Sequence, residues 1–301
     1  MQAFRVLSQT ARCSSYLAPR FTLSAVSNRV MITKRFQSTD MEFKLLPKHL
    51  QPTPELLAES PVSTLAGDLD PLSAPENVNS ELWALYVSTM KRLPHKSTVP
   101  PRKSVLNWLL QNSTTREELD MIMSLTEHWR MNMRPISPAT THYWAKACIQ
   151  MKYPELFMTL IMDRWKYRQL PVEYTLSIFI KFLGTLGAEQ GGEAADKLLD
   201  DAFRVFALFP YYQLRYTADA YGALVEACCE INTDEAWRRA LVASEETLSA
   251  EKPMITVDAL KAMERRSIER GEPEMAKRYG DLAEEVGVKA SAEKDVEISQ
   301  E

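Results

Sequence analysis

The 301-residue chain is short of several things, and each scarcity removes a class of protein. Its nine Gly follow no period, which excludes a collagen-like filament. No apolar run approaches the roughly 20 residues needed to cross a bilayer, and no alternating segments suggest a porin, so no membrane span is expected. Four Cys are present, at 13, 148, 228 and 229, without CxxC spacing or a neighbouring His. That disfavours zinc, and the adjacent Cys228 and Cys229 inside an apolar helical pattern read as packed thiols.

Signatures of catalysis are missing too. There is no GxGxxG, Walker A, HExxH or GxSxG, and His49, His95, His128 and His142 are scattered along the chain. The acidic pairs Asp200-Asp201, Glu245-Glu246 and Glu284-Glu285 are adjacent rather than facing, so they read as solvated faces and not as an acid and base. The expectation is a protein that is not an enzyme, with no cofactor, no metal and no small-molecule substrate.

Negative charge is absent from one region altogether. Residues 1–36 hold five Arg and one Lys but no Asp or Glu. Arg5, Arg12, Arg20, Arg29 and Arg35 are interspersed with Ser, Thr and bulky apolar residues, the composition of an amphipathic mitochondrial presequence, and the apolar core of a secretory signal is lacking. Lys34-Arg35-Phe36-Gln37-Ser38 resembles a matrix processing site, with cleavage after Phe36 or Gln37. The competing reading is a basic arm that binds nucleic acid. Removing the six positive charges from the total of 36 leaves 30 basic residues against 40 acidic ones, a formal charge of −10 for the remainder. Such a body disfavours a broad nucleic-acid surface and confines RNA contact to a local patch.

Residues 37–76 carry six Pro and few aromatics, a composition that reads as an extended arm. From 77 to 288 the apolar pattern is helical throughout and predicts an all-α domain. Expected helices begin at the Asn79/Ser80 cap, at Ser104 and after Thr115, and then cover about 138–151, 154–168, 172–187, 192–208, 216–231, 234–250, 256–270 and 272–286. Residues 289–301 (KASAEKDVEISQE) read as a flexible acidic tail.

Short connections between helices of similar length suggest antiparallel hairpins, so repetition is the next test. Glu118-Leu119-Asp120-Met121 recurs 37 residues later as Glu155-Leu156-Phe157-Met158, Trp129-Arg130 is matched by Trp165-Lys166, and Pro138 is followed by Pro171 after 33 residues. Proline in a first helical turn costs no hydrogen bond and fixes the entry angle.

Pro138-Ala-Thr-Thr141-His-Tyr143-Trp-Ala-Lys-Ala147-Cys148, then Tyr153-Pro154-Glu155 and the helix end from Trp165 to Gln169, resemble a pentatricopeptide repeat. Tyr216-Thr217-Ala218-Asp219-Ala220-Tyr221-Gly-Ala-Leu224-Val225-Glu-Ala227-Cys228 is similar to another first helix of that kind. The resemblance covers residues 115–250 in degenerate form, with an expanded spacer around Gly187–Gly192. The last pair, Asp258–Glu269 and Glu274–Glu285, is closer to a tetratricopeptide hairpin, with Ala276 and Ala283 as small packing residues. The resemblance implies an α-solenoid of antiparallel helical hairpins. Members that read RNA sequence do so with polar side chains near the start of each first helix. With Tyr143, Leu176 and Tyr221 at third positions, the base-reading fifth positions fall at Ala145, Ile178 and Ala223, which offer no hydrogen-bonding group.

The candidate contact site is Arg164-Trp165-Lys166-Tyr167-Arg168, together with Arg130 and Arg134 at the matching end of the preceding hairpin. Basic residues interleaved with aromatics can hold phosphates and stack a base. The competing reading has Trp165 closing the hairpin core while the cations solvate a helix C-terminus. The aromatic row Phe203, Phe206, Phe209, Tyr211 and Tyr212 reads as core, since Phe203 and Phe206 share a helical face.

The family resemblance and the presequence together imply a mitochondrial matrix scaffold in or on the small subunit of the mitochondrial ribosome, supporting mitochondrial translation. Its partners would be mitochondrial ribosomal proteins, with rRNA or mRNA reached through a local basic edge. Two alternatives are a pentatricopeptide-like RNA-binding factor for organellar transcript maturation or translation, and an assembly factor for a respiratory complex.

Overall fold

Capping chemistry sets where most of the helices begin. The computed structural model describes residues 74–93, 101–250 and 254–298, with side chains to residue 288. The chain divides into two units, Met1–Gln51 and Pro52–Glu301, and every described residue belongs to the second. The basic leader at 1–36 and nearly all of the Pro-rich arm at 37–76 therefore lie outside the described residues. Among those residues there are twelve helices and no strand, so the domain is all-α.

Helix α1 (Ser80–Arg92) starts where the Asn79 side chain accepts the Glu81 amide. Helix α2 is Lys103–Asn112. Helix α3 (Arg116–Met131) opens with a capping box, in which Thr115 accepts the Glu118 amide and the Glu118 carboxylate accepts the Thr115 amide. That carboxylate also accepts the amides of Thr114 at 2.6 Å and, 39 residues away, of Asn79 at 2.8 Å. One buried side chain thus ties the start of α1 to the start of α3.

Helix α4 (Pro138–Gln150) has Pro138 at its first position and Ser137 as its cap. Pro171, expected to play the same part, instead precedes the cap residue Val172 of α7 (Glu173–Gln190). The single helix expected over 154–168 is two: α5 (Pro154–Met162) and the one-turn α6 (Arg164–Tyr167). Helices α8 (Gly192–Tyr211), α9 (Ala218–Glu230), α10 (Asp234–Leu248) and α11 (Val257–Glu269) follow, the last three capped by Thr217, Thr233 and Thr256. Helix α12 (Pro273–Ile298) continues through most of the stretch expected as a flexible tail from 289, so the backbone there is helical to Ile298.

Consecutive helices pack in pairs: α2 with α3, α4 with α5, α7 with α8, α9 with α10 and α11 with α12. The first members form a row in which α2 touches α4, α4 touches α7, α7 touches α9 and α9 touches α11. Second members meet as α1 with α3, α3 with α6 and α5 with α8. The row is tight at α7 and α9, where a Cβ on Gly184 would lie 2.4 Å from the Cα of Ala227.

Polar contacts between hairpins recur at a narrow range of sequence separations. Thr140 donates to Asn107 across 33 residues, Arg265 to Glu230 across 35, Arg270 to Asp234 across 36, Lys152 to Glu189 across 37 and Arg239 to Asp200 across 39. Each hairpin is therefore bonded to its neighbour in sequence. The interval widens in the middle, where Arg164 reaches the Tyr211 carbonyl across 47 residues, because α7 and α8 are 18 and 20 residues long against 13 for α4.

Candidate functional site

The basic and aromatic cluster sits where α3 and α5 end and on α6. Asp163 breaks the expected helix: its backbone (φ −94°, ψ 73°) is non-helical, and its carboxylate accepts the Lys166 amide at 2.8 Å as the cap of α6. Arg168 then closes α6 in the left-handed region, at φ 47°.

This turn sets the structural register. Met133 (φ 55°), Arg168 and Gln213 (φ 59°) end successive second helices in the same left-handed conformation, and Arg168 follows Met133 by 35 residues. The Trp129–Trp165 match spans 36 residues and is one residue out of step, a rotation of about 100° on a helix of 3.6 residues per turn. Trp129 is accordingly buried, whereas Trp165 is 89% exposed. The expectation that Trp165 closes the hairpin core is overturned. Tyr167 takes the buried place, as Tyr212 does one hairpin later, where its hydroxyl donates to the Ile161 carbonyl at 2.6 Å.

The cations are held in different ways. Lys166 Nζ lies 3.0 Å from a Glu127 carboxylate oxygen, and that bond raises the pKa of the ammonium. The Arg164 guanidinium lies 5.8 and 5.4 Å from the ring centres of Tyr211 and Tyr212 and donates to the Tyr211 carbonyl. Arg130 Nη1 donates to the Met133 sulfur. Burial lowers the pKa of Arg134, which sits half-buried beside α3. Arg168 is exposed. The structure thus brings Arg164, Trp165, Lys166 and Arg168 to one edge together with the end of α3, and withdraws Tyr167 into the core.

Sequence reasoning missed the apolar part of this edge. Met131 is 55% exposed, Met162 44% and Tyr211 49%. Met131 stands one turn beyond Glu127, the partner of Lys166, on the same face of α3. Tyr211 belongs to the aromatic row expected to be core, in which Phe209 and Tyr212 are buried and Phe203 and Phe206 are partly buried. A helical wheel of α3 alone places Met131 off the buried stripe, and that was the available signal.

A second concavity lies between α4 and α7, lined by His142, Ala145, Lys146, Ile149, Tyr174, Thr175 and Ile178, with a volume of about 290 Å³. His142 stacks on Tyr174 at 5.9 Å, and its Nδ1 is 3.3 Å from Thr175 Oγ1. Two of the expected base-reading positions, Ala145 and Ile178, are in its wall. The third, Ala223, is fully buried.

Other chemistry-bearing groups are packed or paired. Cys148, Cys228 and Cys229 are buried free thiols, and burial pushes Cys228 up to about 12, leaving it protonated at neutral pH. Asp200 pairs with Arg239 and Asp201 with Arg204. Among the described residues no cluster of His, Cys, Asp and Glu is arranged to hold a metal ion, and no helix is long and apolar enough to cross a membrane. No protein-family model matches the chain, and no curated protein matches it.

Proposed function

We propose that this chain is a non-enzymatic mitochondrial helical-repeat scaffold: an α-solenoid of degenerate pentatricopeptide-like hairpins, held in the matrix as a component of, or a factor bound to, the small subunit of the mitochondrial ribosome. The observation that carries the solenoid reading is the recurrence of hairpin-to-hairpin contacts at 33–39 residues. A chain in which each unit bonds mainly to the next is a one-dimensional array, and such arrays work by presenting extended surface to partners. The acid-free leader supports the compartment.

The charge distribution favours a scaffold over a reader of transcripts. Lys152, Lys166, Lys181, Arg239, Arg265 and Arg270 are all engaged in ion pairs between hairpins, so these six cations join hairpins and do not form a phosphate track. Ala145, Ile178 and Ala223 at the base-reading positions point the same way.

The test is to deplete the protein and pulse-label organellar translation products. A general fall in all products, with loss of the small subunit relative to the large one, is the expected result. Loss of a single product would transfer the assignment to a transcript-specific RNA-binding factor, and unchanged synthesis with loss of one respiratory complex would transfer it to an assembly factor.

A further inference from the structure

Nine large hydrophobic side chains are exposed among the described residues, and four of them, Met131, Met162, Trp165 and Tyr211, belong to the ends of α3, α5, α6 and α8. Their helices touch: α6 packs on α3 and α5, and α5 on α8, and Met162 directly precedes the Asp163 cap of α6. Lys166 joins α6 to α3 through Glu127, and Arg164 joins it to α8 through the Tyr211 carbonyl. The four side chains therefore form one edge instead of four scattered contacts. Scattered exposed apolar residues are ordinary, whereas a gathered set marks a docking surface.

We infer that this edge docks a partner protein through a segment that carries an apolar side chain flanked by carboxylates. Three features select that occupant. Trp, Tyr, Met and Arg are the residues that protein interfaces concentrate, and Trp165, fixed on a one-turn helix between the Asp163 cap and the left-handed Arg168, is presented as a rigid anchor. The edge is locally basic, with Arg130, Arg134, Arg164, Lys166 and Arg168 against Glu127 and Asp163, inside a body whose balance is acidic. Carboxylates on the partner are attracted here and repelled elsewhere, which sets register. The apolar side chains decide against a nucleic-acid backbone: with Lys166 paired with Glu127 and Arg164 on tyrosine rings, the exposed Arg168 meets a carboxylate, while the thioethers of Met131 and Met162 fit the partner's apolar side chain and offer nothing to a phosphate.

The inference depends on the scaffold reading only in taking the chain to act by binding; it does not require that the partner be ribosomal. It is tested in living cells with the full-length chain carrying a photo-crosslinking p-benzoylphenylalanine in place of Met162, and the same group in place of Ile268 as a remote exposed control. The expected product at position 162 is a protein adduct whose trapped peptide contains Asp or Glu next to an apolar residue. Its yield should fall at least fivefold with Trp165→Ala and at least threefold with Arg168→Glu, with yield at position 268 unchanged. An RNA adduct, an adduct indifferent to both substitutions, or no adduct at position 162 while position 268 reacts would each overturn the inference. A trapped peptide from a protein outside the ribosome would support the docking surface and count against the ribosomal assignment, so the two can fail separately.

Discussion

From α1 to α8 the core adds fully buried rings, Trp129, Trp144, Phe157, Phe179 and Phe209, to its Leu and Ile, whereas from α9 to α12 it is rich in small side chains, Ala236, Ala240, Ala243, Ala259, Ala262 and Ala283, with Trp237 and Tyr279 as its buried rings. Ion pairs join hairpins in both parts: Arg265–Glu230 and Arg270–Asp234 lie within the alanine-packed part, Lys152–Glu189 and Lys166–Glu127 within the ring-packed part, and Arg239–Asp200 and Lys181–Glu226 link the two. The ring-packed part contains a broken helix, at Asp163, and leaves Met131, Met162, Trp165 and Tyr211 exposed. The two parts thus differ in what they expose: rings and thioethers in the first, and Val242, Ile268 and Val288 in the second.

The contrast can be broken by substitutions that reverse the packing logic of each part. Trp144→Ala removes a fully buried ring and should cost about 3–5 kcal/mol, read by denaturant unfolding. Ala240→Leu inserts volume where α10 has none to spare and should cost about 1–3 kcal/mol by strain; a neutral result would show that the alanine-packed core is loose. Gln213→Gly relieves a left-handed backbone at φ 59° and should stabilise by about 1 kcal/mol, measured as a rise in Tm. Trp165→Ala should change stability by less than about 0.5 kcal/mol, since the ring is almost wholly exposed, and that separates it from Trp129 at the matched sequence position.

Local chemistry made most helix starts legible. The Asn79 cap, the Thr115 to Glu118 pair and Pro138 at a first turn were readable from short spacings, and the structure uses them so. The break at Asp163 was harder because Asp within an apolar-periodic run serves equally as an exposed helical residue or as a cap. Missing it put Trp165 on the wrong face, since a register error of one residue turns a side chain by about 100°. The reach of Glu118 to the Asn79 amide was not legible at all: it joins residues 39 apart, and only the packing of α1 on α3 brings them together. The basic character of the edge was in the sequence, but its apolar half was not, because Met131, Met162 and Tyr211 come from three separate helices.

The most direct test of the central claim is sedimentation of the endogenous full-length protein through a gradient of mitochondrial lysate at high salt. Stable co-migration with the small ribosomal subunit is the expected result, and migration as a free particle, away from both ribosomal subunits, would contradict a ribosomal scaffold.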